Sequence, residues 1–200
     1  FGFAAPTSAL TYRENTVHLV ITPSPAAGQT PSAHIEESAS GLTLVNRTVT
    51  SPRHSESSLR LLRLPGQATL ELQGAIPVDT EPIRLPVSVD DPTLFFLRGF
   101  HHTLLREGIE VMGETVDIND IDSNTILQSE ENSQLLLDHQ SPPLSEFAIG
   151  MMKRSQNLYA ETIFRTLGDK HGRTIGAGQI VVKDLLESWS IETDQFIILD

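Results

Sequence analysis

Ser155 and Asn157 sit two residues apart between two helix-like segments, Phe147 to Arg154 and Leu158 to Leu167. A short loop between helices can project a hydroxyl and a carboxamide into a cleft, and each group both donates and accepts hydrogen bonds. A hydroxyl so placed can pass a proton, and a carboxamide can orient a substrate carbonyl. Held in register with a reacting bond, such groups lower a barrier by several kcal/mol through positioning. A serine ahead of a helix is also an ordinary N-cap, and Ser-x-Asn alone is common in that role.

Other residues have chemistry-bearing types but unsuitable frames. Asp120, Asp122, Asn124, Ile126, Gln128 and Glu131 fall at oxygen-ligand positions of a calcium loop. The sixth position, which needs glycine for its sharp turn, holds Thr125, so a solvated acidic loop is the expectation. His101 and His102 point about 100° apart on a helix and cannot chelate one ion as an i, i+4 pair would. Phe95, Phe96 and Phe100 are expected in the core, as aromatics at helical spacing usually are. No metal and no cofactor is expected.

Flanking residues separate the two readings of the triplet. Met151-Met152-Lys153-Arg154-Ser155-Gln156-Asn157-Leu158-Tyr159-Ala160-Glu161, with Arg165-Thr166-Leu167-Gly168 beyond it, closely resembles the second active-site motif of the penicillin-binding D-alanyl-D-alanine carboxypeptidases and endopeptidases. That family works with S-x-x-K, S-x-N and a K-T-G-like strand. Here Gly150, Leu167 and Ile180 stand three residues before Lys153, Lys170 and Lys183, so S-x-x-K is absent, as are K-T-G and H-T-G. The resemblance implies that this chain is an internal segment of a larger enzyme whose nucleophile and third motif lie elsewhere. By motif position it gives Ser155 the bridge between the catalytic lysine and the leaving amine, and Asn157 the substrate carbonyl. Tyr159 and Glu161 are scaffold. The implied reaction is acyl transfer from D-Ala-D-Ala stem peptides of peptidoglycan, with β-lactams as acylating ligands, in an exported bacterial protein of the periplasm or cell wall. Two alternatives are a non-catalytic module binding the cell wall or a partner and a free-standing hydrolase using Ser155. The latter lacks a Gly-x-Ser-x-Gly elbow.

Composition narrows the partners. With 26 acidic against 14 basic residues the net charge is -12, and no Lys/Arg cluster tracks a phosphate backbone, which argues against nucleic acid. Cysteine is absent, removing disulfides, thiolate nucleophiles and Cys-type zinc sites. No apolar run approaches the roughly 20 residues of a membrane span, and Phe1 to Pro6 is too short for a signal peptide. The sequon Asn46-Arg47-Thr48 is read as chance.

The elements that must hold the triplet change character along the chain. Val17, Leu19 and Ile21, then Leu42 and Leu44, Leu70 and Leu72, and Ile83, Leu85, Val87 and Val89 alternate with period two and predict strands. Pro82 and Pro86 lack a ladder donor and place the last of these at an edge or a bend. Asp91-Pro92 opens a helix, with aspartate as N-cap and proline at the first position, and Gly108 ends it. Ser141-Pro142-Pro143 marks the return to helix after a polar linker. Val182, Leu185, Leu186 and Trp189 outline a one-faced helix, and Gln195 to Leu199 predicts a strand. The expected class is α+β. An antiparallel β-rich accessory region (1–22 with 90–140, and an inserted 23–89) precedes part of a serine β-lactamase-like or penicillin-binding transpeptidase-like domain at 141–200.

Overall fold

Period-two alternation in strand β1 (Thr16–Thr22) sends Val17, Leu19 and Ile21 to one face, and all three are fully buried. The computed structural model describes residues 5–64, 66–123, 134–135, 138–172 and 174–191. Their contacts form two compact units, 1–136 and 137–200.

In the first unit β1 is the centre of a three-stranded antiparallel sheet, between β2 (Ser32–Ile35) and β6 (Ile83–Ser88). Segment 23–89 therefore shares a sheet with residues 16–22. Pro86 lies opposite His18 on the edge strand β6, where its missing N–H costs no ladder bond. A second sheet has β5 (Thr69–Pro77) at its centre, between β3 (Thr43–Ser51) and β4 (Arg60–Leu62). β3 and β5 pair in parallel from Thr43/Thr69 to Ser51/Pro77, while β4 runs antiparallel to β5. The antiparallel expectation thus holds for every pair except β3–β5. Alternation gives strand spans but not strand direction.

One core joins the sheets. Leu70, Leu72 and Ile76 from β5 cluster with the β1 residues, with Val87 and Val89, and with Phe95 of helix α1 (Pro92–Arg106). The helix starts as its sequence predicts, with the Asp91 carboxylate accepting from the Leu94 N–H at 2.8 Å and Pro92 in the first turn. The expectation for its aromatics needs correction. Phe95 is fully buried, but Phe96 is half-buried and Phe100 is 49% exposed, the two rings stacking on each other at 6.1 Å between centroids. On a 100° per residue helix, Phe96 and Phe100 share a stripe that turns away from Phe95. Within the sequon, the Asn46 amide donates to the Pro31 carbonyl and accepts from Thr48, so the group is already engaged.

Among its described residues the second unit carries three α-helices: α2 (Leu144–Arg154), α3 (Asn157–Leu167) and α4 (Ile175–Ser188). α4 begins seven residues before Val182, capped by the Thr174 hydroxyl, which accepts from the Ala177 N–H at 3.1 Å. The glycines at 176 and 178 hide this start from a propensity reading. Their use is tertiary: a Cβ at Gly178 would stand 2.3 Å from the Phe164 carbonyl oxygen. Helix α4 therefore presses against α3 backbone to backbone. Trp189 is the C-cap of α4 and 64% exposed, so it does not close an apolar stripe as its spacing suggests. The expected strand at 195–199, most of the calcium-like run (124–131), and Leu136 and Leu137 lie outside the described residues.

Candidate active site

The Ser-x-Asn triplet forms the joint between α2 and α3. Ser155 terminates α2 in the left-handed conformation, φ 51° and ψ 47°, with its N–H donating to the Met151 carbonyl. That carbonyl also accepts from the Gln156 N–H at 3.2 Å, so the last turn closes on two backbone donors. Glycine is the usual residue in this conformation, because a Cβ costs energy there, and a serine held in it is a local strain of the kind found at functional turns. Lys153 and Arg154 in the last turn favour the negative end of the helix dipole.

The next helix does not use Ser155 as a cap. Its N-cap is Gln156, without a side-chain capping bond, and Asn157 is its first residue. The ordinary capping reading of Ser155 therefore falls: the serine ends one helix and leaves its side chain exposed, and Asn157 is also exposed one residue beyond the cap. The structure brings both predicted residues to a single interhelical corner.

Aromatic packing fixes that corner. The Tyr159 ring meets Phe147 edge to face, with centroids 5.5 Å apart and planes at 81°, and the Arg154 guanidinium lies 5.7 Å from the Tyr159 centroid. Such pairs contribute roughly 0.5–1.5 kcal/mol beyond burial. Gly150 gives the tyrosine room, since a Cβ there would lie 3.2 Å from its ring. Leu158 is buried beneath the corner. Tyr159 thus packs between α2 and α3 at this corner. Phe147 and Arg154, which the motif reading did not single out, are the side chains of α2 that meet Tyr159, and their i, i+7 spacing on one face of that helix is the signal that could have paired them.

Elsewhere, His18, Glu36 and Glu37 bring one ligand atom each within 4.8 Å of one another. Arginines already hold the carboxylates: Arg84 donates to Glu36 at 2.6 Å, and Arg13 donates to Glu37 at 3.2 Å. The hydrogen bond from Arg84 holds the Glu36 carboxyl below its ordinary range. Two guanidinium groups beside the cluster oppose a cation, so this arrangement reads as an ion-pair network. His101 and His102 lie on α1 without converging carboxylates among the described residues.

A model of the D-Ala-D-Ala carboxypeptidase 3 (S13) family matches residues 1–200. The chain belongs to that family. It is 28% identical, over its whole length, to a D-alanyl-D-alanine carboxypeptidase of Actinomadura sp. strain R39, spanning 37% of that relative. It is 25% identical over 65% of its length to D-alanyl-D-alanine carboxypeptidase DacB of Haemophilus influenzae, covering 26% of it. Crystal structures of penicillin binding protein 4 (dacB) from Haemophilus influenzae share the fold. The free form superposes over 100% of this chain and 43% of its own with a TM-score of 0.78, at 18% identity. The form complexed with a β-lactam gives 0.76 over 99% and 44%. The α+β class is the one expected, and this S13 chain spans well under half the length of the relatives it matches. No described helix is long and apolar enough to cross a membrane.

Proposed function

We propose that this chain is an internal part of an exported, serine-type D-Ala-D-Ala carboxypeptidase that acts on peptidoglycan stem peptides, and also cleaves as an endopeptidase. In this reading residues 1–140 are accessory structure, and 141–200 are part of the transpeptidase-like domain. A serine outside this chain attacks the penultimate carbonyl, D-alanine leaves, and water hydrolyses the acyl-enzyme. β-Lactams acylate the same serine. The Ser155 hydroxyl relays the proton to the leaving amine, and the Asn157 carboxamide holds the substrate carbonyl.

The observation that carries this reading is the corner itself. Ser155 is exposed and left-handed, caps α2 through its backbone N–H alone and is not the N-cap of α3, next to an equally exposed Asn157, in a chain whose whole length matches the family.

The test uses the full-length protein with Ser155→Ala and Ser155→Gly. Glycine relieves the backbone strain but lacks the hydroxyl, so the pair separates chemistry from geometry. Both variants are expected to lower kcat on a D-Ala-D-Ala peptide by about 10²- to 10⁴-fold, with a smaller rise in KM. Asn157→Ala is expected to weaken binding as well. Full activity in Ser155→Gly alone would reduce the residue to a turn former, and full activity in both would remove the relay.

A further inference from the structure

We propose that the groove between the Ser38–Ser40 turn and helix α1 binds a singly charged carboxylate, such as the C-terminus of a short peptide, through Arg98 and His102. The groove is open to solvent and holds about 430 Å³, room for a small ligand. Arg98, His102 and Arg106 line it at i, i+4 and i+8, which places them along one face of the helix. No other basic stripe of this kind stands on a described helix of this acidic chain.

Arg98 is the decisive residue. Arg13 and Arg106, the other arginines of the groove, have carboxylate partners in Glu37 and Glu107, each at 3.2 Å. Arg98 is half-buried, yet it has neither a carboxylate nor a hydrogen-bond acceptor among the described residues. Partly desolvating a guanidinium with no partner is unfavourable, and a ligand carboxylate would supply the missing acceptor. Its position is also built. Gly41 adopts φ +70°, and a Cβ there would lie 2.3 Å from Arg98 Nη1, so the guanidinium rests against backbone that only glycine leaves open.

The opposite wall is strained in the same direction. Arg13, Glu14 and Asn15 are three consecutive non-glycine residues at φ 50°, 55° and 52°. Each costs energy in the left-handed region, and such runs persist where the surroundings enforce them, often beside ligands. Buried Asn15 enforces this one, accepting from the Tyr12 N–H and donating to the Pro6 carbonyl at 2.8 Å. The turn thereby sets Tyr12 against Gly99 at the floor of the groove and Arg13 at its rim.

Ligand charge follows from the lining. One free guanidinium fork matches one planar carboxylate bidentately. Glu36 and Glu37 on the facing side disfavour a dianion such as phosphate. The inference concerns the first unit alone and stands whether or not Ser155 relays a proton.

The whole chain, labelled with ¹⁵N, is titrated with N-acetylalanine, N-acetylalaninamide and inorganic phosphate. The acid is expected to produce saturable shifts at the Gly41 and Gly99 amides and the Arg98 Nε–H. The amide should produce none, and phosphate only weaker ones. Arg98→Gln should weaken the acid by about tenfold or more. Arg98→Lys, which keeps charge but loses the fork, should fall between. His102→Gln alters an exposed residue and keeps the test available if Arg98→Gln does not fold; it should weaken the acid measurably. No saturation by the acid, equal binding of acid and amide, phosphate binding as tight as the acid, or wild-type affinity in Arg98→Lys and His102→Gln together would each overturn the proposal.

Discussion

The two units of this chain reach order by different means. The first buries large side chains: Val17, Leu19, Ile21, Leu72, Ile76 and Phe95 are all at 0% exposure around a core shared by two sheets. In the second, Leu158 and Ala177 are the buried hydrophobic residues among those described, and the helices meet through Gly150, Gly168 and Gly178. Burial of apolar volume is a large, forgiving stabiliser. Close backbone contact through glycine buries little volume and depends on shape. The Ser155 corner therefore sits in the unit whose order rests on fit, and the proposed carboxylate groove in the unit whose order rests on volume.

The sharpest way to break this contrast is to remove volume from the first unit. Leu72→Ala should cost about 2–5 kcal/mol, measured by chemical denaturation. Amide exchange should accelerate throughout β1 and β5 while α2 to α4 keep their own rates. In the unaltered chain, protection should be stronger across Thr16–Thr22 and Thr69–Pro77 than across Leu144–Ser188. The reverse order would show that the helical unit is the stable one.

Adding one methyl group to the second unit tests fit directly. Gly178→Ala must push α4 from the Phe164 carbonyl, an overpacking cost of about 1–3 kcal/mol that exceeds the helix-propensity gain of about 1 kcal/mol. The expected result is faster exchange in α3 and α4 with β1 unchanged. A variant more stable than the parent would mean that propensity, and not contact, limits this unit.

A helix cap in the first unit should matter less than its core. Asp91→Ala removes the acceptor of the Leu94 N–H and should cost about 0.5–2 kcal/mol, read as a shift of the denaturation midpoint with an unchanged slope. Asp91→Asn should recover most of it.

The smallest effect concerns acid stability. Arg84 lowers the Glu36 pKa from its ordinary 4.5, first by its hydrogen bond and then by its charge. A carboxyl with a depressed folded-state pKa stabilises above its unfolded value and loses that contribution as pH falls through the folded one. Arg84→Gln should therefore lower Tm slightly at neutral pH, with the difference from the parent vanishing as pH falls below about 4.5 and the acid limb flattening; the drop is small because the pair is partly exposed. An equal drop at pH 7 and pH 3 would assign the arginine a packing role.

The sequence by itself determined features governed by neighbours along the chain. The buried set Val17, Leu19 and Ile21 follows from period two, the start of α1 from Asp91-Pro92, and the edge position of β6 from Pro86, because alternation, capping and a missing N–H act within a few residues. The Ser-x-Asn string and its family were legible for the same reason. Strand direction was not: β3 and β5 run parallel because of how residues 52–68 travel between them, which no pattern inside either strand records. Phe96 and Phe100 looked like core and proved half-buried and exposed, since which helix face meets the sheets is fixed by packing. The end of α2 at Arg154 was legible, but only the structure put Ser155 in the left-handed conformation and brought Phe147 and Arg154 onto Tyr159. It alone brought Arg98 onto Gly41, 57 positions away in sequence. Contacts across that separation depend on the chain's path through space, so periodicity, which reports only local geometry, carries no trace of them.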